Sequence, residues 1–149
     1  MSKIQNVLVT GGMGYIGSHT VVRLIENGYT PIIVDNLSNS SPKVLDRLET
    51  ITGQRVKFYE ADCCDKEAMR KIFTENKIDG IIHFAGLKAV GESVRIPVAY
   101  YRNNIDSTAC KERMQGFGKG LFALPLFRHR QNMRHALGIG KAHVALACL

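Results

Sequence analysis

The run Val7-Leu8-Val9-Thr10-Gly11-Gly12-Met13-Gly14-Tyr15-Ile16-Gly17 leaves few folds open. An apolar β-branched stretch enters a turn whose glycines recur every third residue, and apolar residues at helical spacing follow. Strand, glycine turn and helix together can hold a phosphate without a charged side chain. Gly11 permits the tight turn, Gly14 lets backbone N–H groups approach a pyrophosphate, and Gly17 lets the helix lie close to the strand. The overlapping spacing Gly12-x-Gly14-x-x-Gly17 is satisfied as well. A plain tight connection would use similar residues, so the turn needs its context.

That context is strand before and helix after. Lys3 to Thr10 reads as a buried strand, and Ile16 to Ile25 carries Ile16, Val21, Leu24 and Ile25 at helical spacing. Gly28 stops the helix. A second strand, Pro31 to Asp35, ends in a carboxylate about twenty residues past the turn, where an acid accepts hydrogen bonds from an adenosine ribose. An acid there repels a 2′-phosphate, so NAD is expected over NADP. The alternative for Asp35 is a turn-starting residue ahead of Asn36.

Strand and helix signals keep alternating. After the polar loop Asn36 to Pro42, Ser41 is the expected N-cap of a helix with Pro42 at its first position, ending near Thr52-Gly53. Arg55 to Glu60 reads as the third strand, with Val56 and Phe58 on one face. Asp65 is placed to cap a helix over Lys66 to Glu75. Asp79-Gly80 turns into a fourth strand, Ile81 to Phe84. Ala85 to Ile96 reads as a small-residue loop, and Pro97 opens another helix. This alternation predicts an α/β fold: a doubly wound parallel sheet, here an incomplete Rossmann-type NAD-binding half-domain. Ligands of such sheets bind beyond the carboxyl ends of the strands. There Asp62 is placed for an adenine amino group, or is a solvated loop acid. Lys88 suits a diphosphate or ribose hydroxyls, or is a solvated lysine.

The 149 residues fit one domain. The net charge of +7 hides a break. Residues 1–110 hold 13 Lys and Arg against 12 acids, whereas residues 111–149 hold 7 against one, Glu112. The expected organisation is therefore residues 1–110 as the N-terminal part of the nucleotide-binding domain, followed by a basic tail over 111–149. An abrupt loss of acids is what a shifted reading frame produces. The apolar run Gly120 to Leu124 offers one strand, which Pro125 interrupts. The tail's charge would give nucleic acid only unspecific, salt-dependent binding, and no recognition motif accompanies it. No long apolar run predicts a membrane span, and no leader-like segment is apparent. Cys63, Cys64, Cys110 and Cys148 lack metal-ligand spacing, so no metal site and a reducing, cytoplasmic setting are expected.

The segment Ile82-His83-Phe84-Ala85-Gly86-Leu87-Lys88-Ala89-Val90-Gly91-Glu92-Ser93 is more particular. Together with the glycine turn, Ser18-His19-Thr20, Asp35-Asn36-Leu37 and Tyr100-Tyr101-Arg102-Asn103-Asn104, it closely resembles the UDP-glucose 4-epimerases of the extended short-chain dehydrogenase/reductase family. The likeness covers about residues 3–108. It implies NAD as cofactor, with Tyr15 and Ile16 meeting the pyrophosphate through backbone N–H groups. Asp35 would hold the ribose beside Asn36, Ser38, Asn39 and Ser40, and Asp62 and Cys63 would contact adenine. Phe84, Ala85, Lys88 and Asn103 would line the cofactor. Val90, Gly91, Glu92 and Ser93 would lie near the UDP-sugar, UDP-glucose or UDP-galactose. The likeness allows a homodimer for the full-length family.

The chemistry so implied is redox without net redox. A tyrosinate takes the proton of the sugar 4-hydroxyl while C4 gives hydride to NAD, and the 4-keto sugar rotates before hydride returns. A lysine four residues after the tyrosine lowers its pKa. This chain departs from that pattern. Four residues beyond Tyr15, Tyr29, Tyr59, Tyr100 and Tyr101 stand His19, Ile33, Cys63, Asn104 and Ile105. No catalytic residue is therefore assigned, and the chain alone is expected to be inactive. The alternative is a free-standing NAD or nucleotide-binding module without catalysis.

Overall fold

The computed structural model describes residues 5–115, 120–123 and 142–146, with side chains through residue 107. Lys3, Ile4, Leu124 and Pro125 of the expected strands lie outside the described residues. Strands β1 (Asn6–Thr10), β2 (Thr30–Asp35), β3 (Lys57–Glu60) and β4 (Gly80–His83) alternate with helices α1 (Tyr15–Glu26), α2 (Lys43–Thr52) and α3 (Lys66–Glu75). Helices α4 (Val90–Arg95) and α5 (Pro97–Gln115) and strands β5 (Gly120–Ala123) and β6 (Ala142–Leu146) follow. All recorded pairings are parallel, in the order β3-β2-β1-β4-β6-β5. The order runs outward from β1 in both directions, which opens a crevice beyond the β1 and β4 tips.

The central strands are apolar on both faces because helices cover both. Val7, Val9 and Ile33 pack with Val21, Leu24 and Leu48 of α1 and α2 on one side. Leu8, Ile32, Val34 and Ile81 pack with Met69 and Ile72 of α3 on the other. Alternate residues of one strand thus feed two cores. At the other end of the sheet, the Asp79 carboxylate accepts from the N–H groups of Gln5 (3.1 Å) and Asn6 (3.0 Å), which aligns β1 with β4.

Helix α3 begins as its sequence dictates: Asp65 Oδ1 accepts from the N–H groups of Glu67 (3.0 Å) and Ala68 (3.2 Å). Two local expectations are corrected. Ser41 does not cap α2, because Pro42 is already in the helical region and the first-turn N–H groups of Val44 and Leu45 bond the carbonyls of Ser41 and Pro42. The stretch Ala85 to Ile96 is not all loop, since Val90–Arg95 forms α4. Valine and glycine at the start of α4 are poor helix formers. A tertiary bond supplies what propensity does not: Tyr100 Oη of α5 donates to Glu92 Oε2 at 2.5 Å. Arg55, expected in β3, turns outward instead and pairs with Glu49 at 2.7 Å.

Candidate nucleotide site

Gly11 leaves β1 with φ +69°, and its N–H donates to Val34 O at 2.7 Å. A Cβ there would sit 2.7 Å from Ala85 N and from Phe84 C, so the β1 turn and the loop after β4 meet backbone to backbone. A Cβ at Gly17 would collide with the Gly11 carbonyl oxygen. Both glycines are therefore required by contact. They bring the start of α1 against the strand tips. That helix start carries no side-chain cap and no acid in its first turn. The first-turn N–H groups of an α-helix have no intrahelical partner, and its dipole favours an anion there.

Asp35 joins the second strand end to the turn. Its Oδ2 accepts from Met13 N–H at 3.0 Å, and its Oδ1 accepts from Leu37 N–H (2.9 Å) and Ser40 Oγ (2.8 Å). The turn-starting reading is thus realised, and the same side chain lines the crevice beyond the strand tips. Three bonds leave acceptor capacity on a carboxylate, which offers about four lone-pair directions. Leu37 takes φ +57°, an uncommon conformation that the Leu37 N–H bond to Asp35 helps hold.

Beyond the strand tips lies a cleft of about 410 Å³. The glycine turn and α1 contribute Gly11, Gly14, Tyr15, Ile16 and Gly17. The β2 end contributes Asp35, Asn36, Ser38 and Asn39, and the β3 end contributes Asp62 and Cys63. Phe84, Ala85 and Lys88 after β4 and Asn103 of α5 complete the expected set. Ser40 is not on the wall; it supports Asp35 from behind. Of the four residues expected near a sugar, only Glu92 reaches the cleft. Val90 is 78% exposed, a Cβ at Gly91 would meet open space, and Ser93 Oγ donates to Val90 O within α4.

Sequence reasoning passed over Ala61, Gly86, Leu87, Ala89 and Tyr100, which also line the cleft. Four of these are apolar or small and give no chemical signal. Tyr100 is placed there by its bond to Glu92, which also pushes the phenol above its ordinary pKa of 10.0. His83, at the tip of β4, is buried and bonded on both ring nitrogens, by Thr10 Oγ1 at 2.5 Å and Ser107 Oγ at 3.3 Å.

The profile of the family described as GDP-mannose 4,6 dehydratase matches residues 8–110. The chain belongs to this family. Within it, the likeness to UDP-glucose 4-epimerases holds. The UDP-glucose 4-epimerase of Neisseria meningitidis serogroup A is 58% identical over 105 residues, 70% of this chain and 31% of that protein. The chain thus spans about a third of this relative's length. The UDP-glucose 4-epimerase structure from Bifidobacterium longum, in complex with NAD+ and UDP, superposes with a TM-score of 0.77 at 48% identity, covering 80% of this chain and 36% of that one. The Brucella ovis UDP-glucose 4-epimerase in complex with NAD gives 0.71 at 26% identity, covering 96% and 51%. Among the described residues, no helix is long and apolar enough to cross a membrane.

Proposed function

We propose that this chain is the NAD-holding part of a UDP-glucose 4-epimerase, the enzyme type that interconverts UDP-glucose and UDP-galactose through a 4-keto sugar. The observation that carries the reading is the joining of Asp35 to the glycine turn at the uncapped start of α1. The contacts at Gly11 and Gly17 fit a dinucleotide, because they hold the start of α1 and the loop after β4 against the β1 turn with no side chain between. In this reading the first turn of α1, at Tyr15 and Ile16, receives the pyrophosphate. Asp35 accepts from the adenosine ribose hydroxyls with Asn36, Ser38 and Asn39 beside it. Asp62, whose Oδ1 accepts from Cys64 N–H at 2.7 Å, faces the adenine with Cys63. Phe84, Ala85, Lys88 and Asn103 form the far wall, and Glu92 marks the sugar end. Bound NAD would supply reversible acceptance of hydride.

Proton transfer has no evident carrier in this chain, since no tyrosine is followed four residues later by lysine. We therefore read residues 1–110 as the cofactor half of an active site and the isolated chain as inactive. The family match stops at residue 110, and beyond it Glu112 is the one acid. This supports reading 111–149 as a frame-shifted or joined tail, and the nucleotide sequence around codons 105–112 tests it directly. A second reading, a free-standing NAD-binding module, draws on β5 and β6, which extend the sheet beyond β4. A cytoplasmic setting is part of the proposal and draws on the cysteine spacing, which fits neither a metal site nor a disulfide framework.

Thermal unfolding with and without nucleotide, beside a UDP-galactose turnover assay, tests these readings. The expected result is a higher midpoint with NAD, a smaller rise with NADP, and no turnover. Measurable turnover by the pure chain would overturn the assignment of inactivity.

A further inference from the structure

Among the described residues the loop Ala85 to Lys88 pairs with no strand, yet the Leu87 N–H and the carbonyls of Ala85 and Leu87 are bonded by side chains. Asn104 of α5, half-buried, accepts from Leu87 N–H through Oδ1 at 2.8 Å and donates from Nδ2 to Leu87 O at 3.1 Å. One side-chain amide thus makes the two bonds to one residue that a neighbouring strand would make. Asn103 Nδ2 extends the clasp, donating to Ala85 O at 3.1 Å and to Asn104 Oδ1 at 3.1 Å. A Cβ at Gly86 would stand 3.5 Å from Asn104 Oδ1, so the loop passes close over the amide. Leu87 and Lys88 line the cleft, whereas Asn104 is not among the residues that form its wall.

We propose that Asn104 is a positioning residue for the nucleotide: it fixes the segment Ala85 to Lys88 at the distance from the glycine turn that a dinucleotide needs. Helix α5 thereby sets the width of the cleft without touching the ligand. The inference rests on the NAD reading above. Its mechanism is bond-specific. Oδ1 fixes the Leu87 amide, and Nδ2 fixes the Leu87 carbonyl. Asn104→Leu keeps the volume and removes both bonds. Asn104→Asp keeps the acceptor and removes the donor.

The test uses the full chain and two readouts: hydrogen exchange at the Leu87 amide, and NAD affinity by titration calorimetry. Asn104→Leu is expected to raise Leu87 exchange and to weaken NAD binding about tenfold, whereas Asn104→Asp should leave the Leu87 amide protected and weaken NAD binding only about threefold. A packing role alone would leave Asn104→Leu unchanged in both readouts, and that result overturns the proposal. Faster Leu87 exchange with unaltered NAD affinity overturns it too. If Asn104→Leu does not fold, Asn104→Asp decides: affinity equal to the parent chain contradicts a role for the donor. Should the parent chain itself bind no NAD, the NAD reading fails, and with it Asn104's role toward that ligand; the exchange rates then report on the clasp alone.

Discussion

Gly17 and Asp35 do different work at the same turn. A methyl group at Gly17 has no room, since the Gly11 carbonyl and the Gly12 Cα already stand there. Gly17→Ala should cost about 1–3 kcal/mol through displaced backbone, read as a lower urea midpoint, and should abolish NAD binding. Asp35→Ala strips the buried Met13 N–H of its acceptor, which costs roughly 1–3 kcal/mol, and also removes the acceptor proposed for the ribose. Chemical denaturation together with NAD titration separates the two effects. Asp35→Asn keeps the shape and acceptance by Oδ1 but sets an amide NH2 against the Met13 N–H, so it should cost a similar amount, about 1–3 kcal/mol, while narrowing the preference for NAD over NADP. These two residues were legible in the sequence because their chemistry is demanded by spacing: glycines every third residue, then an acid about twenty residues on. Ser40 was legible only as a neighbour. That its hydroxyl turns back onto Asp35 is decided by the loop's path, which spacing does not encode.

Helix α4 shows where element-scale reading stops. Valine and glycine at its start give no helical signal, and no residue of α4 is buried. Its Glu92–Tyr100 bond depends on a phenol proton. The Tyr100 pKa is raised chiefly by that hydrogen bond to Glu92, so the neutral phenol is the form the fold favours. The link is present below the ordinary phenol value near 10.0 and is lost as pH rises through the higher folded value. Hydrogen exchange over α4, corrected for the intrinsic rate, should therefore accelerate above that range. Tyr100→Phe should show the accelerated rate at neutral pH and no further rise. The strands were easier to read. Strands β1, β2 and β4 are continuous apolar runs because both faces are covered, and Asp65 announces α3 by its type and position. The α2 start was misread because Pro42 makes the backbone turn that a serine side chain would otherwise secure.

For the whole molecule, α4 and α5 present apolar side chains outward. Val98, Tyr101 and Ile105 recur at helical spacing on α5 with exposures of 64%, 68% and 57%, and Val90 and Val94 of α4 stand above 75%. Exposed apolar area of this kind favours association. The isolated chain should bind a hydrophobic dye and self-associate with concentration, and Val98→Glu with Ile105→Glu should reduce both without altering NAD affinity. The sequence also announced the halt of the family pattern near residue 110 through its charge, whereas the pairing of β6 with β4 gave no advance signal. The central claim is that this chain holds NAD between the glycine turn, the Asp35 loop and the loop after β4. Amide chemical-shift mapping of the full chain during NAD titration tests it most directly. The account predicts saturable shifts concentrated at Gly14 to Gly17, Asp35 to Asn39 and Ala85 to Lys88; no saturable shift, or shifts centred elsewhere, would contradict it.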